Sequence, residues 1–184
     1  MKPLKLALYF CILVHADLSF AQFCNYNIGA DAPDSRYTAN ANGMVIDKKT
    51  GLTWMRCALG QIWNNTTCTG SGQSYHWQDA LQAAENTVFA GFDDWRLPTQ
   101  KELQSIIENR CNEPAINLTA FPNATSDRFW SSSFYTGYTG YAWIADFDNG
   151  YGYSGNYGES GNYAVRLVRG VANRDFLRSD KFLL

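Results

Sequence analysis

The chain has 184 residues, with 15 Lys and Arg against 17 Asp and Glu, five cysteines and a formal charge of −2. This length suits one domain with short appendages, and the charge excludes a general nucleic-acid binder, which needs a surplus of cations to neutralise phosphates. Because 46% of the residues are hydrophobic and 15% are aromatic, the composition predicts a folded domain rich in aromatic side chains and excludes disorder for most of the chain.

The first 21 residues have the layout of a cleavable secretory signal. Lys2 and Lys5 precede an apolar run over residues 6–14. Ser19 and Ala21, three positions and one position before Gln22, are the small residues that a signal peptidase recognises. This run is shorter than the roughly 20 residues that span a bilayer, so no transmembrane anchor is predicted. We therefore expect export to the periplasm, the outer surface or the medium. Cleavage would leave 13 basic and 16 acidic residues, which gives a charge of −3.

One cysteine lies within the signal, and the mature chain keeps Cys24, Cys57, Cys68 and Cys111. An even number of cysteines in an exported chain predicts two disulfides, for which three pairings exist. Cys57 and Cys68 flank a loop rich in Gly, Asn and Thr and pair most economically, which leaves Cys24 with Cys111. A zinc site is not predicted, because the chain has no CxxC pair and His76 is the one histidine of the mature chain.

The first half of the mature chain predicts an arm, a hairpin and a helix. Residues 22–42 form an extended N-terminal arm with many small polar residues. The short apolar runs 44–46 and 52–55 are joined by a polar turn that contains Gly51, which predicts a β-hairpin. From Trp77, apolar residues recur at helical spacing and predict a helix of about ten residues.

The rest of the chain predicts a second helix followed by strands. Thr99 and Glu102 have the spacing of a capping box, which marks a helix start. Asn149 and Gly150 form a strong hairpin signal. Residues 171–184 form a polar, mildly basic tail. The predicted strands cover residues 129–133, 141–147 and 163–169. Helices and strands do not alternate, so residues 43–170 are predicted to form one α+β domain with an antiparallel sheet.

Asp146 and Asp148 lie two apart on a predicted strand, so we expect their side chains on one face. Such a pair suits a glycosidase, whose carboxyl groups lie about 5–10 Å apart. Together with Asn149 the two acids also offer hard oxygen ligands for calcium, although the EF-hand pattern fails because Gly150 falls one position early. A polar strand face near a turn is the third interpretation. We predict no cofactor, with calcium kept as the alternative.

The segment 134–163 is the most unusual part of the sequence. It contains ten aromatic residues, seven of them Tyr, seven Gly and three acids, but no Lys or Arg. Flat aromatic faces beside short, adaptable side chains are typical of binding surfaces, and sugar rings stack well on them. The alternative is that these aromatics fill the core of a sheet. The predicted ligand-binding residues are Trp143, Asp146, Asp148, Asn149, Tyr151, Tyr153 and Tyr157.

Several short motifs occur in a fixed order along the chain. They cover residues 50–54, 94–99, 102–103, 129–133 and 165–169, with the loop between Cys57 and Cys68 and the Pro- and Asn-containing stretch 114–122. Together they resemble the domain at the C-terminus of Legionella collagen-like protein, a widespread bacterial family. The resemblance covers roughly residues 43–170.

The resemblance implies a fold related to C-type lectins, with ligand bound by loops of the second half. The founding member of the family is an adhesin whose domain trimerises and binds sulfated glycosaminoglycans. This chain has no collagen-like stalk and no Lys or Arg between Arg128 and Arg166, so neither the trimer nor that ligand is carried over. The motif residues have a structural interpretation, in which the tryptophans fill the core and the arginines bond carbonyls or carboxylates. These residues are Trp54, Trp95, Trp130, Arg96, Arg166 and Arg169.

Three functions follow as hypotheses. We favour an exported, non-catalytic binding or adhesion module that recognises a glycan, or an envelope or host surface protein, through the loops of 134–163. The second is a polysaccharide hydrolase that uses Asp146 and Asp148 as its acid pair. The third is a small envelope protein that assembles with a partner. The sequence makes no prediction of the oligomeric state.

Overall fold

The computed structural model describes residues 22–137, 139–149, 156–158 and 161–173, and of 156–158 only the backbone. The predicted signal peptide and most of the predicted C-terminal tail lie outside these residues. The helices are α1 (Trp77–Glu85) and α2 (Gln100–Ser105). The strands are β1 (Phe23–Cys24), β2 (Tyr37–Ala39), β3 (Met44–Asp47), β4 (Thr53–Met55), β5 (Ile62–Trp63), β6 (Cys68–Thr69), β7 (Ser74–Tyr75), β8 (Cys111–Asn112), β9 (Arg128–Phe134), β10 (Tyr141–Asp146), β11 (Asn156–Gly158), β12 (Tyr163–Ala164) and β13 (Val168–Arg169).

A four-stranded antiparallel sheet has the order β13-β4-β3-β2. The predicted hairpin is confirmed as β3 and β4, with Val45 opposite Trp54. Gly51 adopts a φ of 77° in the turn, which a side chain would disfavour, and its N–H donates to the carbonyl of Asp47 at 2.7 Å. The N-terminal arm contributes β2 to the edge of this sheet.

A five-stranded sheet has the order β11-β10-β9-β12-β7 and is antiparallel except between β12 and β9. β9 and β10 confirm two of the predicted strands. The prediction of one strand over 163–169 is wrong, because this stretch forms β12 in one sheet and β13 in the other. Between them, the carbonyls of Val165 and Leu167 accept hydrogen bonds from Leu59 and Met55, so the stretch crosses from sheet to sheet. β10 and β11 are antiparallel neighbours, with Ala142 opposite Tyr157. Gly150 of the predicted hairpin signal lies outside the described residues.

The two helices follow the β3–β4 hairpin and precede β9 and β10 in the chain, as predicted. The capping box of α2 is confirmed: the N–H of Glu102 donates to Thr99 Oγ1 at 3.3 Å, and the N–H of Thr99 donates to Glu102 Oε2 at 2.8 Å. No helix among the described residues is long and apolar enough to span a bilayer.

Two disulfides join the predicted pairs. Cys57 and Cys68 close a short loop with a Cα–Cα distance of 5.4 Å, and Cys24 and Cys111 are 4.0 Å apart at their Cα atoms. Because β1 also pairs with β8 at the second bridge, the start of the arm is fixed to the domain. The predicted α+β class, with mostly antiparallel strands, two helices and two disulfides, is confirmed.

The apolar core forms two clusters that contain the motif tryptophans. Trp54 belongs to one cluster, and Trp95 and Trp130 belong to the other; none is more than 3% exposed. Trp95 Nε1 donates to the carbonyl of Phe89 at 3.1 Å, and Trp130 Nε1 donates to that of Tyr75 at 2.8 Å. The indole N–H of Trp54 has no partner among the described residues. The predicted core role holds for all three.

The motif arginines donate hydrogen bonds to carboxylates and backbone carbonyls within the fold. Arg96 makes a two-pronged ion pair with Glu102, with both N–O distances at 2.8 Å, and donates to the carbonyl of Gly170. Arg169 Nε donates to Asp94 Oδ1 at 2.6 Å. Arg166 is 1% exposed and donates to the carbonyls of Met55 and Arg56. Burial lowers the pKa of the Arg166 guanidinium to about 9.

Candidate functional site

The β9–β10 hairpin positions the predicted ligand-binding residues that the structure describes. Arg128 lies opposite Asp146 at one end, and Phe134 lies opposite Ala142 at the other, with an irregular register between Ala142 and Ile144. Each residue adds about 3.3 Å to the length of a strand, so most of the length of β10 separates the two ends. The two ends differ in chemistry.

The aromatic end consists of Phe134, Tyr135, Tyr141 and Trp143. Phe134 is 63% exposed and Tyr141 is 38% exposed, whereas Tyr135 and Trp143 are half-buried. The rings of Tyr135 and Trp143 meet edge to face with centroids 5.2 Å apart. The ring centroids of Phe134 and the buried Trp77 lie 4.7 Å apart. These contacts hold the rings in place while leaving apolar area accessible to a ligand.

The other end opens onto a cavity of about 310 Å³, which we call the acidic cleft. The residues that line it include three acids, one cation, two serines and an asparagine. These are Asp127, Asp146, Asp148, Arg128, Ser74, Ser126 and Asn162. The cleft therefore offers hydrogen-bond acceptors and a net negative charge.

Asp146 and Asp148 both line the acidic cleft, but their environments differ. Asp146 is 8% exposed, and its Oδ2 accepts from Arg128 Nε at 2.9 Å. Its Oδ1 accepts from the backbone N–H of Asp148 at 3.0 Å. The side chain of Asp148 is exposed, and its carbonyl accepts from the N–H of Glu113 at 2.8 Å. Strand β10 ends at Asp146, earlier than predicted, so the two acids do not share one strand face.

Four further predicted residues lie at the edge of the described residues or outside them. Asn149 is exposed, and it follows Asp148 without lining the acidic cleft. Tyr151 and Tyr153 lie outside the described residues. For Tyr157 the structure describes only the backbone, which pairs with Ala142 in β11.

The sequence did not predict four site residues that the structure adds. Phe134, Tyr135 and Tyr141 belong to the aromatic-rich segment, but nothing in their spacing distinguishes them from its other aromatics. In the sequence, Arg128 is distinguished only as the last cation before that segment. Its role depends on its position opposite Asp146, which follows from the strand register.

The acids of the cleft do not form a metal centre in the part of the chain that is described. No group of three His, Cys, Asp or Glu side chains there is placed to hold a metal ion. One oxygen of Asp146 is bonded to Arg128 and the other to a backbone N–H, which is a poor arrangement for a cation ligand. Calcium binding stays an untested hypothesis.

The comparisons with known proteins identify the family. The Lcl C-terminal domain matches residues 43–169, which is most of the chain. No curated protein matches the chain. The family indicates, in general terms, a non-enzymatic extracellular domain. The match confirms the resemblance predicted from the motifs, and the chain belongs to the Lcl C-terminal domain family.

Proposed function

We propose that the protein is an exported, non-catalytic binding module with a C-type-lectin-like fold, which recognises a glycan, or an envelope or host surface protein. The observation that carries the proposal is the aromatic end. It presents Phe134, Tyr141 and Trp143 as partly exposed rings, of which Phe134 packs against Trp77 and Trp143 packs against Tyr135. Ordered rings lose little conformational entropy on binding.

The chemistry of this surface favours an uncharged ligand face such as the C–H face of a sugar ring. The segment 134–163 contains no Lys or Arg, and the nearby cleft is acidic. A sulfated or phosphorylated ligand would meet repulsion there. An aromatic ring can stack on an apolar face while its polar edge, in Tyr or Trp, donates a hydrogen bond.

Export is supported by two independent features. The first 21 residues have the pattern of a secretory signal. The two disulfides are typical of oxidising compartments such as the periplasm and the extracellular medium.

The hydrolase alternative gains no support from the geometry. A general acid must hold a proton near the reacting oxygen. Asp146 instead accepts two hydrogen bonds, one from Arg128 and one from the backbone N–H of Asp148. Asp148 is exposed, and its predicted partner Asp146 already uses both carboxylate oxygens in hydrogen bonds. We therefore propose binding without catalysis.

A glycan array probed with and without EDTA tests the proposal, because it reports the ligand class and any need for calcium together. Tyr141→Ala and Trp143→Ala should each weaken binding at least about tenfold, the loss expected for an aromatic hot spot. Tyr26→Ala is the matched control, since Tyr26 is 79% exposed and lies on the N-terminal arm. Thermal unfolding of each variant shows whether folding is retained.

Two outcomes would contradict the proposal. Folded Tyr141→Ala and Trp143→Ala variants that bind as well as the parent would place the site elsewhere. Turnover of a polysaccharide that disappears in Asp148→Asn would favour the hydrolase. Recovery of a stable complex from the native envelope would identify a protein ligand instead of a glycan.

A further inference from the structure

The side chain of Gln22 is held at the start of the N-terminal arm. Its Nε2 donates to the carbonyl oxygen of Pro114 at 2.5 Å and to that of Ile116 at 2.7 Å. Both acceptor residues are buried. Two residues further along, the Cys24–Cys111 disulfide fixes the backbone. The carboxamide of Gln22 therefore has a defined position in the folded protein.

A glutamine at the beginning of a chain can react with itself. After cleavage behind Ala21, the freed α-amino nitrogen of Gln22 can attack its own Cδ and form a five-membered lactam. The Cδ–Nε2 bond then breaks, and Nε2 takes up a proton and leaves as ammonia. The products are pyroglutamate and ammonia, and the step needs no oxidant, reductant or further reactant.

The folded structure opposes this reaction at the leaving group. Nε2 is the atom that makes both hydrogen bonds, and donation from its N–H groups favours the resonance form with a double C–N bond. Ring closure also draws Cδ back to the backbone nitrogen. It would remove the donor from the carbonyls of Pro114 and Ile116, which is unfavourable for buried acceptors.

We propose that Gln22 is a modification site under the control of folding: the folded mature chain keeps it as glutamine, and it cyclises to pyroglutamate only when the arm is released. The inference depends on signal cleavage before Gln22 and is independent of the ligand proposed above.

Cyclisation would also affect the loop that receives the carboxamide. This loop supports the end of β10, since Glu113 N–H donates to the carbonyl of Asp148 at 2.8 Å and Ala115 N–H to that of Phe147 at 2.6 Å. Loss of Nε2 therefore removes a contact from the loop beside the acidic cleft.

The test uses the full mature protein purified after export. Mass spectrometry of its N-terminal peptide distinguishes glutamine from pyroglutamate by the mass of one ammonia. The oxidised, folded protein is incubated in neutral phosphate buffer beside the reduced, urea-unfolded protein and a synthetic peptide of residues 22–28. Cyclisation in the folded protein should be at least about tenfold slower than in the peptide, because it requires local opening. The unfolded protein should match the peptide.

Three results would overturn the proposal. One is an equal rate in the folded protein and the peptide. Another is a freshly purified protein that already carries pyroglutamate or begins at a residue other than Gln22. The third is an unchanged unfolding temperature for Gln22→Glu, whose carboxylate cannot donate to the two carbonyls, since this would show that the contact does not stabilise the arm.

Discussion

Two arginine–aspartate pairs in this molecule have the same chemistry and different surroundings. Arg36 and Asp47 join the arm to β3, and their side chains are 4% and 0% exposed. Arg128 and Asp146 join β9 to β10 at the acidic cleft, and their side chains are 46% and 11% exposed. The first pair is enclosed by the fold, whereas the second lies at a surface that a ligand can reach.

The buried pair has partners on several elements. Asp47 also accepts from Thr50 Oγ1 at 2.7 Å and from the N–H of Lys49 at 3.0 Å. Arg36 Nη1 donates to the carbonyl of Ser105, at the end of α2, at 2.7 Å. Burial alone would raise the pKa of the Asp47 carboxyl, but the hydrogen bonds from Arg36 and Thr50 outweigh it and hold the pKa below its ordinary value.

This difference in burial implies different energetic roles. Removing one member of a buried pair leaves a charge that cannot be solvated, whereas an exposed charge that loses its partner is solvated by water. We therefore expect the Arg36–Asp47 pair to maintain the fold and the Arg128–Asp146 pair to shape the cleft with little effect on stability.

Asp47→Ala should produce the largest effect. It leaves Arg36 buried without its carboxylate, so the free energy of unfolding should fall by about 3–5 kcal/mol. Urea unfolding at neutral pH measures the change, with Asp146→Ala as the matched control at the cleft. Equal losses in the two variants would contradict the distinction between the pairs.

The cost of Asp47→Asn should depend on pH in a defined direction. Because the pKa of Asp47 in the folded protein lies below its ordinary value of 3.8, the carboxylate contributes stability above that pH. This contribution is lost as the pH falls through the lower, folded-state pKa. The difference between parent and variant in urea unfolding should therefore shrink below about pH 4. A difference that stays constant between neutral and acidic pH would show that the charge of Asp47 is not what stabilises the fold.

Glu102→Gln should have an intermediate effect of about 1–2 kcal/mol. The carboxylate of Glu102 is 6% exposed, but its partner Arg96 is 38% exposed and can be partly solvated. Glutamine keeps one oxygen that can accept from the N–H of Thr99, as the capping box requires. Its amide NH2 cannot accept from the second Arg96 nitrogen, so the charge and one hydrogen bond of the ion pair are lost. Thermal unfolding beside Thr99→Ala, which removes the hydroxyl of the same cap, separates the two contributions. A Glu102→Gln loss no larger than that for an exposed pair would show that Arg96 stabilises the fold only through carbonyls.

The features that the sequence predicted are those determined within a few residues. The hairpin of β3 and β4 follows from two apolar runs and a glycine turn, and α2 starts where Thr99 and Glu102 form their capping box. The disulfide pairs followed from an even count of four cysteines and from the short loop between Cys57 and Cys68, which left Cys24 with Cys111. The family motifs identified Trp54, Trp95 and Trp130 as core residues, and the structure buries all three.

The contacts that the sequence did not predict depend on the approach of distant segments. Nothing near Asp47 indicates Arg36 as its partner, and Asp146 meets Arg128 because of the register between β9 and β10. The split of residues 163–169 between two sheets has the same origin, since its local pattern is that of one strand. Asp146 and Asp148 both line the acidic cleft, but their spacing did not predict the cation that pairs with Asp146.

Asp146→Asn should have the smallest effect on stability, at most about 1 kcal/mol. The amide keeps the size of the carboxylate, and its Oδ1 can still accept from the N–H of Asp148. Arg128 is half-exposed and can be solvated when the charge of its partner is lost. Urea unfolding measures the change, with Asp94→Asn as a control for an exposed pair, since Asp94 bonds Arg169 at the surface. A loss comparable to that of Asp47→Ala would mean that the Arg128–Asp146 pair maintains the fold, and the acidic cleft would then be a by-product of packing with no independent binding role.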